Sequence, residues 1–400
     1  MTDARILAIM GSGETAPAMG KVHRALFERL GDGAAGPVPA VVIDTPYGFQ
    51  ENADELSART QEFFAGSVGN PVEIATYRTR DVDAVTAATA VARVGAAGFV
   101  MAGPGSPSYA LRQWAGGPIP DALAGHLATG GVLVMASAAA LTLGAVTIPV
   151  YEIYKVGEDP RWLDGLDLLG RATGLRAAVV PHYDNAEGGS HDTRFCYMGE
   201  RRLRILEAQL PDDVFVLGVD SHTALLLDIG RGVATVTGLG GVTVRVAGRS
   251  TRFAAGAEIP IEAIGEAARG LAAGRSETAV RDAALGSAAG PAGRPRSERP
   301  AAPMRQEMQD LEGAFIAALN AGELRDAVAA LLDLDEAIDA RVRAGEDSPD
   351  LDNAASTFRA LIVRLGDLAA SGAVDGAAVP REAVDVLVDT LLELRTAARE

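Results

Sequence analysis
The chain has 400 residues, 48% of them hydrophobic and 22% charged, and a formal net charge of −17. That length exceeds one ordinary core and predicts two domains, while the acidic balance opposes nucleic-acid phosphates unless arginines cluster locally. The lone cysteine, Cys196, excludes an intrachain disulfide and a cysteine-based zinc site, and with no apolar run of about 18 residues no transmembrane helix is expected.

The sequence enters a strand pattern at Arg5–Met10 with no signal-peptide pattern before it, which with the single cysteine predicts a cytoplasmic location. The Gly11-Ser12-Gly13 turn follows. Val38–Thr45 reads as a strand ending at Pro46-Tyr47-Gly48, and Asn52–Phe64 as a helix with Leu56, Phe63 and Phe64 on one side. Val72–Tyr77 is a strand, Asp81–Arg93 a helix, Ala96–Ala102 a strand, Ser108–Trp114 the start of a helix, and Val132–Met135 the central strand. Short apolar strands separated by helices predict an α/β domain with a mostly parallel, doubly wound sheet covered on both faces.

After about residue 175 the pattern changes. Ala177–Pro181 and Val214–Val219 are strands, and Ala224–Asp228, Val233–Thr237 and Val242–Val246 are short, β-branched and joined by Gly-rich turns. Such hairpins give the sheet an antiparallel edge. Ile261–Ala273 is a closing helix, so the first domain is expected over 1–275. A Gly/Pro/Ala-rich linker is expected over 276–303, most plainly in Gly286–Pro303, which has no apolar periodicity. Over 304–400 four amphipathic helical patterns, among them Leu311/Phe315/Ile316/Leu319 and Val384/Leu387/Val388/Leu391/Leu394, predict a small bundle.

Ser137 stands where the apolar strand Gly130–Met135 turns into the helix-forming stretch Ala138–Leu141. A serine there, among small neighbours, has the pattern of a nucleophile elbow; it is equally a small residue suited to a crowded strand-to-helix crossing. A nucleophile needs a base and an oxyanion hole. The N–H groups of Ala138 and of Gly103, in the Gly103-Pro104-Gly105 turn, are candidate oxyanion donors at neighbouring strand ends. His182, directly after a strand, is the first candidate base, and His191 in the Gly188-Gly189-Ser190-His191-Asp192 loop is the second. Asp220 and Asp184 are candidate orienting acids, and His222 a second imidazole for the site. Cys196, in Phe195-Cys196-Tyr197-Met198, reads as a core thiol. Gly11-Ser12-Gly13-Glu14 begins like a dinucleotide fingerprint, but Ala16 and Pro17 replace its later glycine region, so no dinucleotide is expected.

Taken in order, the Gly-rich first turn, Gly103-x-Gly105, the elbow at Ser137, Gly165-Leu166-Asp167-Leu168-Leu169, Pro181-His182-Tyr183 and Gly218-Val219-Asp220-Ser221-His222-Thr223-Ala224-Leu225 resemble the peptidase S51 family, which includes dipeptidase E and cyanophycinase, over residues 4–250. The resemblance implies a class I glutamine-amidotransferase-like fold, Ser137 as nucleophile, His182 as base, and Gly103 and Ala138 at the oxyanion-hole positions. It also implies a glutamate where this chain has Ser221, which cannot supply the charge that stabilises an imidazolium. Loss of an orienting acid costs about 10⁴ in rate in a well-studied triad. Ala136 and Ala139 stand where the family has glycines, and alanine tolerates a strained φ less well.

Residues 311–400 resemble the helical region behind the catalytic core of cysteinyl-tRNA synthetases, without the HIGH-like and KMSKS-like signatures of a ligase core. Residues 301–400 carry 20 acidic and 9 basic side chains, net −11, which fits a protein-interaction or dimerisation bundle better than a tRNA-binding one. The expected activity is therefore hydrolysis of a small peptide or isopeptide bond through an acyl-enzyme at Ser137, needing no metal or organic cofactor. The resemblance further implies acidic residues beside the scissile bond, which Arg112 or Arg194 would read, with His191 and His222 as further substrate-binding candidates. The alternatives are an inactive amidotransferase-like binding module and a tRNA-associated protein; a homo-oligomer is compatible with each reading.

Overall fold
Short apolar runs build two sheets, and the chain passes between them. The computed structural model describes residues 4–31, 36–187 and 191–274, all within one unit, Met1–Ala289. The linker expected over 276–303 and the bundle expected over 304–400 lie outside the described residues.

In the first sheet β1 (Arg5–Met10), β2 (Ala40–Ile43), β3 (Glu73–Ala75), β4 (Phe99–Ala102) and β5 (Gly131–Ala136) are parallel, in the order β1-β5-β4-β2-β3. The chain then forms β6 (Val146–Thr147), β7 (Leu163–Asp164), β8 (Ala177–Val180) and β9 (Phe215–Val219) in a second sheet, where β8 runs parallel to β6 and to β9. β10 (Thr223–Asp228) and β11 (Val233–Gly238) return antiparallel to the first sheet beside β1. β12 (Gly241–Val246) and β13 (Arg249–Ala254) extend the second sheet next to β9, and β14 (Glu258–Pro260) edges the first. The mixed α/β architecture with an antiparallel edge agrees with the reading of the sequence. The division into two sheets was not foreseen: Val214–Val219 and Val242–Val246 look like further strands of one sheet, but the turn at 220–222 hands the chain from one sheet to the other.

Helices cover both faces. α1 (Pro17–Arg29) starts at a proline that needs no amide partner in the first turn. The substitution that spoils a dinucleotide fingerprint is thus a helix start. α2 (Ala53–Phe63) follows, and α3 (Ala84–Ala96) begins three residues later than its apolar pattern implies, because the Asp83 carboxylate caps the Val85 and Thr86 N–H groups. α4 (Pro107–Trp114) is capped by Ser106, and α5 (Ile119–Thr129), α6 (Ala138–Leu141), α7 (Leu168–Thr173), α8 (Gly199–Glu207) and α9 (Ile261–Ala272) complete the set among the described residues. Alternation along β1 feeds two cores. Leu7 and Ile9 pack with Trp114, Leu123 and Leu133, whereas Ile6, Ala8 and Met10 pack with Met19, Phe64 and Phe99.

The second core holds His23, fully buried on α1, with Nε2 2.8 Å from the Glu14 carbonyl and its ring edge-on to Phe64. Burial lowers its pKa from 6.5 to about 4. The unfolded chain therefore binds one more proton than the folded one between those values. Stability should be fully present above pH 6.5 and fall by up to about 3 kcal/mol as pH drops to 4. Urea unfolding at pH 7 and pH 4.5 of the protein and of His23→Gln, which does not titrate, checks this. No helix among the described residues is long and apolar enough to cross a membrane.

Candidate active site
Three neighbouring parallel strands, β1, β5 and β4, end together at Met10, Ala136 and Ala102. In open α/β sheets the carboxyl ends of the strands are where ligand crevices form. Each strand here is followed by a tight turn: Gly11-Ser12-Gly13, Ser137, and Gly103-Pro104-Gly105.

Ser137 has φ 50° and ψ −119°, a conformation that non-glycine residues rarely adopt. The surrounding bonds hold it there. Its N–H donates to the Met10 carbonyl at 3.1 Å, and the Ala139 N–H donates to the Gly103 carbonyl at 3.2 Å. Small neighbours, Ala136, Ala138, Ala139 and Ala140, let β5 turn into α6 without a clash. The Gly103 and Ala139 backbones are thus bonded directly, which sets the Gly103 turn beside Ala138 and the elbow.

His182 comes from the second sheet, two residues past β8, and also has positive φ, 47°. Its N–H donates to the Gly11 carbonyl at 3.3 Å, and the Tyr183 N–H to the Val219 carbonyl at 3.2 Å. The first turn has to be glycine at position 11: a Cβ there would stand 1.9 Å from the Asp220 carbonyl oxygen. This close approach of three strand ends brings His182 Nε2 to 2.9 Å from Ser137 Oγ. Burial is the main influence on His182 and holds its pKa below 6.5, so the imidazole is neutral at pH 7. With the proton on Nδ1, Nε2 accepts from the Ser137 hydroxyl. This is the arrangement in which an imidazole can take a proton from an attacking hydroxyl.

The other candidates separate. His222 joins the site: its imidazole packs against Gly13, its φ is 51°, and its charge bears on His182. Asp184 does too. Its Oδ1 accepts the Ser221 N–H at 2.7 Å, and its charge also bears on His182. Asp220 does not stand behind His182. Its carboxylate is buried and accepts from the Gly241 N–H at 2.8 Å and from Arg252 Nη2 at 2.5 Å, because its backbone pairs with Gly241 and turns the side chain into the β12–β13 hairpin. Arg194 makes a two-pronged pair with Asp192, both bonds 2.9 Å, and holds the Asp192 pKa at about 2. That charge is already engaged inside its own loop. Arg112 is exposed on α4, its guanidinium 5.2 Å over the Tyr109 ring, and no bond joins it to Ser137 or His182 among the described residues. His191 Nε2 lies 3.4 Å from the Tyr154 hydroxyl, and no bond joins it to Ser137 or His182 among the described residues. Cys196 is buried and its pKa is raised to about 12 by burial, which makes it a core thiol.

Three residues near the site escaped the reading of the sequence. Glu14 is 6% exposed, with Oε1 3.6 Å from where a Gly103 Cβ would stand, and burial raises its pKa. Its only signal in the sequence was its place at the end of the Gly-rich turn. Glu187 carries the charge with the largest effect on His182, and its Oε2 accepts from the Tyr197 hydroxyl at 2.5 Å. Tyr197 ends a run of left-handed residues, Phe195 (φ 60°), Cys196 (54°) and Tyr197 (67°). Each costs about 1–2 kcal/mol, and no local sequence pattern announces such a run. Among the described residues no group of three or more His, Cys, Asp or Glu side chains could hold a metal ion.

No family model matches the sequence, and comparison with curated proteins gives no match. Among solved structures, a peptidase from an acI-B1 actinobacterium is similar in fold, with 23% identity and a TM-score of 0.51 over 64% of this chain and 97% of that one. A putative peptidase E protein from Listeria monocytogenes EGD-e aligns with 14% identity and a TM-score of 0.40, over 59% of this chain and 99% of that one.

Proposed function
We propose that the described unit is a serine-type hydrolase of the S51 kind that cleaves a peptide or isopeptide bond in a short substrate. The observation that carries this reading is the 2.9 Å bond between Ser137 Oγ, on a strained strand-to-helix turn, and a neutral His182. Strain of this type persists where the surroundings over-determine it, and it clusters at reactive sites. That the structure from the acI-B1 actinobacterium is a peptidase supports the same reading.

In this chemistry Ser137 Oγ attacks the carbonyl carbon while its proton passes to His182 Nε2. The Gly103 and Ala138 N–H groups receive the developing oxyanion, where preorganised donors are worth most. The C–N bond then breaks as His182 returns the proton to the leaving amine. Water, deprotonated by His182, hydrolyses the ester on Ser137. No step needs a metal or an organic cofactor. Recognition of an acidic substrate by Arg194 is not part of the proposal, since Asp192 holds that guanidinium.

The test is labelling of the full chain with a fluorophosphonate between pH 4 and 8. Ser137 should be modified, and the rate should fall to half at a pH below 6.5, because the base works only when unprotonated and burial lowers its pKa. A folded protein that takes no label at any pH would shift the reading to a binding module. Ser221 favours that second reading, because it brings no charge to the strand end beside the imidazole.

A further inference from the structure
With Asp220 engaged elsewhere and Ser221 uncharged, the Ser137–His182 pair needs a carboxylate from another part of the fold. The charges that bear on His182 are those of Glu187 and Asp184 from its own loop and of His222 from the turn after β9, while the Tyr197 ring, from the turn before α8, lies 6.4 Å away and Ser137 Oγ 2.9 Å from Nε2. Of the two carboxylates, Asp184 is tied by the backbone N–H of Ser221. Glu187 is on an exposed stretch, where a glutamate would ordinarily rotate freely. It is held instead by the Tyr197 hydroxyl at 2.5 Å, and the Tyr197 ring lies 6.4 Å from the His182 ring.

Tyr197 is itself placed by the left-handed run. The Cys196 N–H donates to the carbonyl of His182 at 3.1 Å, and the Phe195 N–H to that of Tyr183 at 2.9 Å. Phe195 and Cys196 are buried and anchor the run, and the Phe195 ring sits between Tyr183 and the guanidiniums of Arg194 and Arg245. The strained turn is therefore bonded to the backbone of the base it faces. Burial and the bond to Glu187 raise the Tyr197 pKa, which keeps its hydroxyl a donor.

We propose that Glu187, clamped by Tyr197, is the carboxylate whose charge supports His182, with Tyr197 as the positioning residue of the pair. The proposal rests on the reading of Ser137 and His182 as nucleophile and base. The clamp gives the strain a role: three consecutive left-handed residues set a phenol ring 6.4 Å from the imidazole ring, and that phenol holds one exposed carboxylate.

The test follows the titration of His182 by NMR in histidine-labelled protein, its resonance identified by its loss in His182→Gln. Glu187→Gln keeps an oxygen for Tyr197 to bond and removes only the charge, so the loop is preserved. The midpoint of His182 should fall, because a charge that favours the imidazolium is gone, and fluorophosphonate labelling at pH 7 should slow. Tyr197→Phe should move the midpoint the same way by less, and Asp184→Asn should move it less than Glu187→Gln. A midpoint unmoved by Glu187→Gln overturns the proposal, and so does a larger shift in Asp184→Asn. The titration reads the proposal even in a protein that takes no label, which would overturn the hydrolase reading alone.

Discussion

Ser137→Ala should lose fluorophosphonate labelling entirely and slow peptide hydrolysis by about 10⁶, leaving only what the oxyanion donors and binding supply, while the protein should unfold at nearly the same denaturant concentration. The side chain removed is one hydroxyl, and its hydrogen-bond partner within the site is His182. His182→Ala should cost about as much. In the proposed mechanism nucleophile and base act as one unit, so their single losses should not add; in a well-studied serine protease each alone costs about 10⁶ in kcat. The double variant should be no slower than either single one. Kinetics on a short-peptide library, with the three variants compared at pH 7, checks this. Hydrolysis at the unsubstituted rate in Ser137→Ala would remove the serine from the chemistry.

Arg245→Ala has the largest expected effect on stability. Arg245 lies on β12 with 7% of its side chain exposed, and its guanidinium bonds both oxygens of Glu200, at 2.8 and 2.9 Å, and Glu207 Oε2, at 2.8 and 3.0 Å. Glu207 has 5% of its side chain exposed. Truncating the arginine leaves that carboxylate buried without its cation, a situation that costs about 3–5 kcal/mol. It also removes the cation from over the Phe195 ring, 5.2 Å away, under the strained turn. Arg245→Lys keeps a charge but not the forked geometry and should lose less. Urea unfolding of both variants measures the difference.

The same cluster sets an acid limit. Arg245 holds the Glu200 pKa at about 2, against about 4.3 in an unfolded chain. Across that window the unfolded chain binds the extra proton. The stabilisation is therefore present above about pH 4.3 and is lost as pH falls toward 2. A wild-type protein whose stability stays level from pH 5 to pH 2 would show that the pair contributes nothing.

The elements on either side of the site were legible because their signals are local. The run Gly131–Ala136 is apolar at every position and is buried throughout as β5. The small residues after it admit the elbow, and His182 follows a short apolar strand as a strand-end residue should. The surroundings of His182 were not legible. Asp220 and Ser221 are adjacent, and the direction of each depends on pairing with Gly241 and on Asp184, which lie 21 and 37 residues away. Glu187 and Tyr197 read as parts of a polar loop and of a buried segment. Nothing in their spacing tells that left-handed residues between Arg194 and Met198 bring them together. Two sheets were read as one for the same reason: strand-forming patterns mark β9 and β10 but not which neighbour each one pairs with.

The sequence by itself determined the α/β alternation and the strand ends that hold Ser137, Gly103 and His182, because the hydrophobic period acts over a few residues. Only the tertiary structure decided that His182 meets Ser137 from a second sheet, that Asp220 faces Arg252, and that Glu187 is fixed by Tyr197. Those are contacts between distant segments, set by strand pairing, burial and the pairing of charges, and no residue carries them alone.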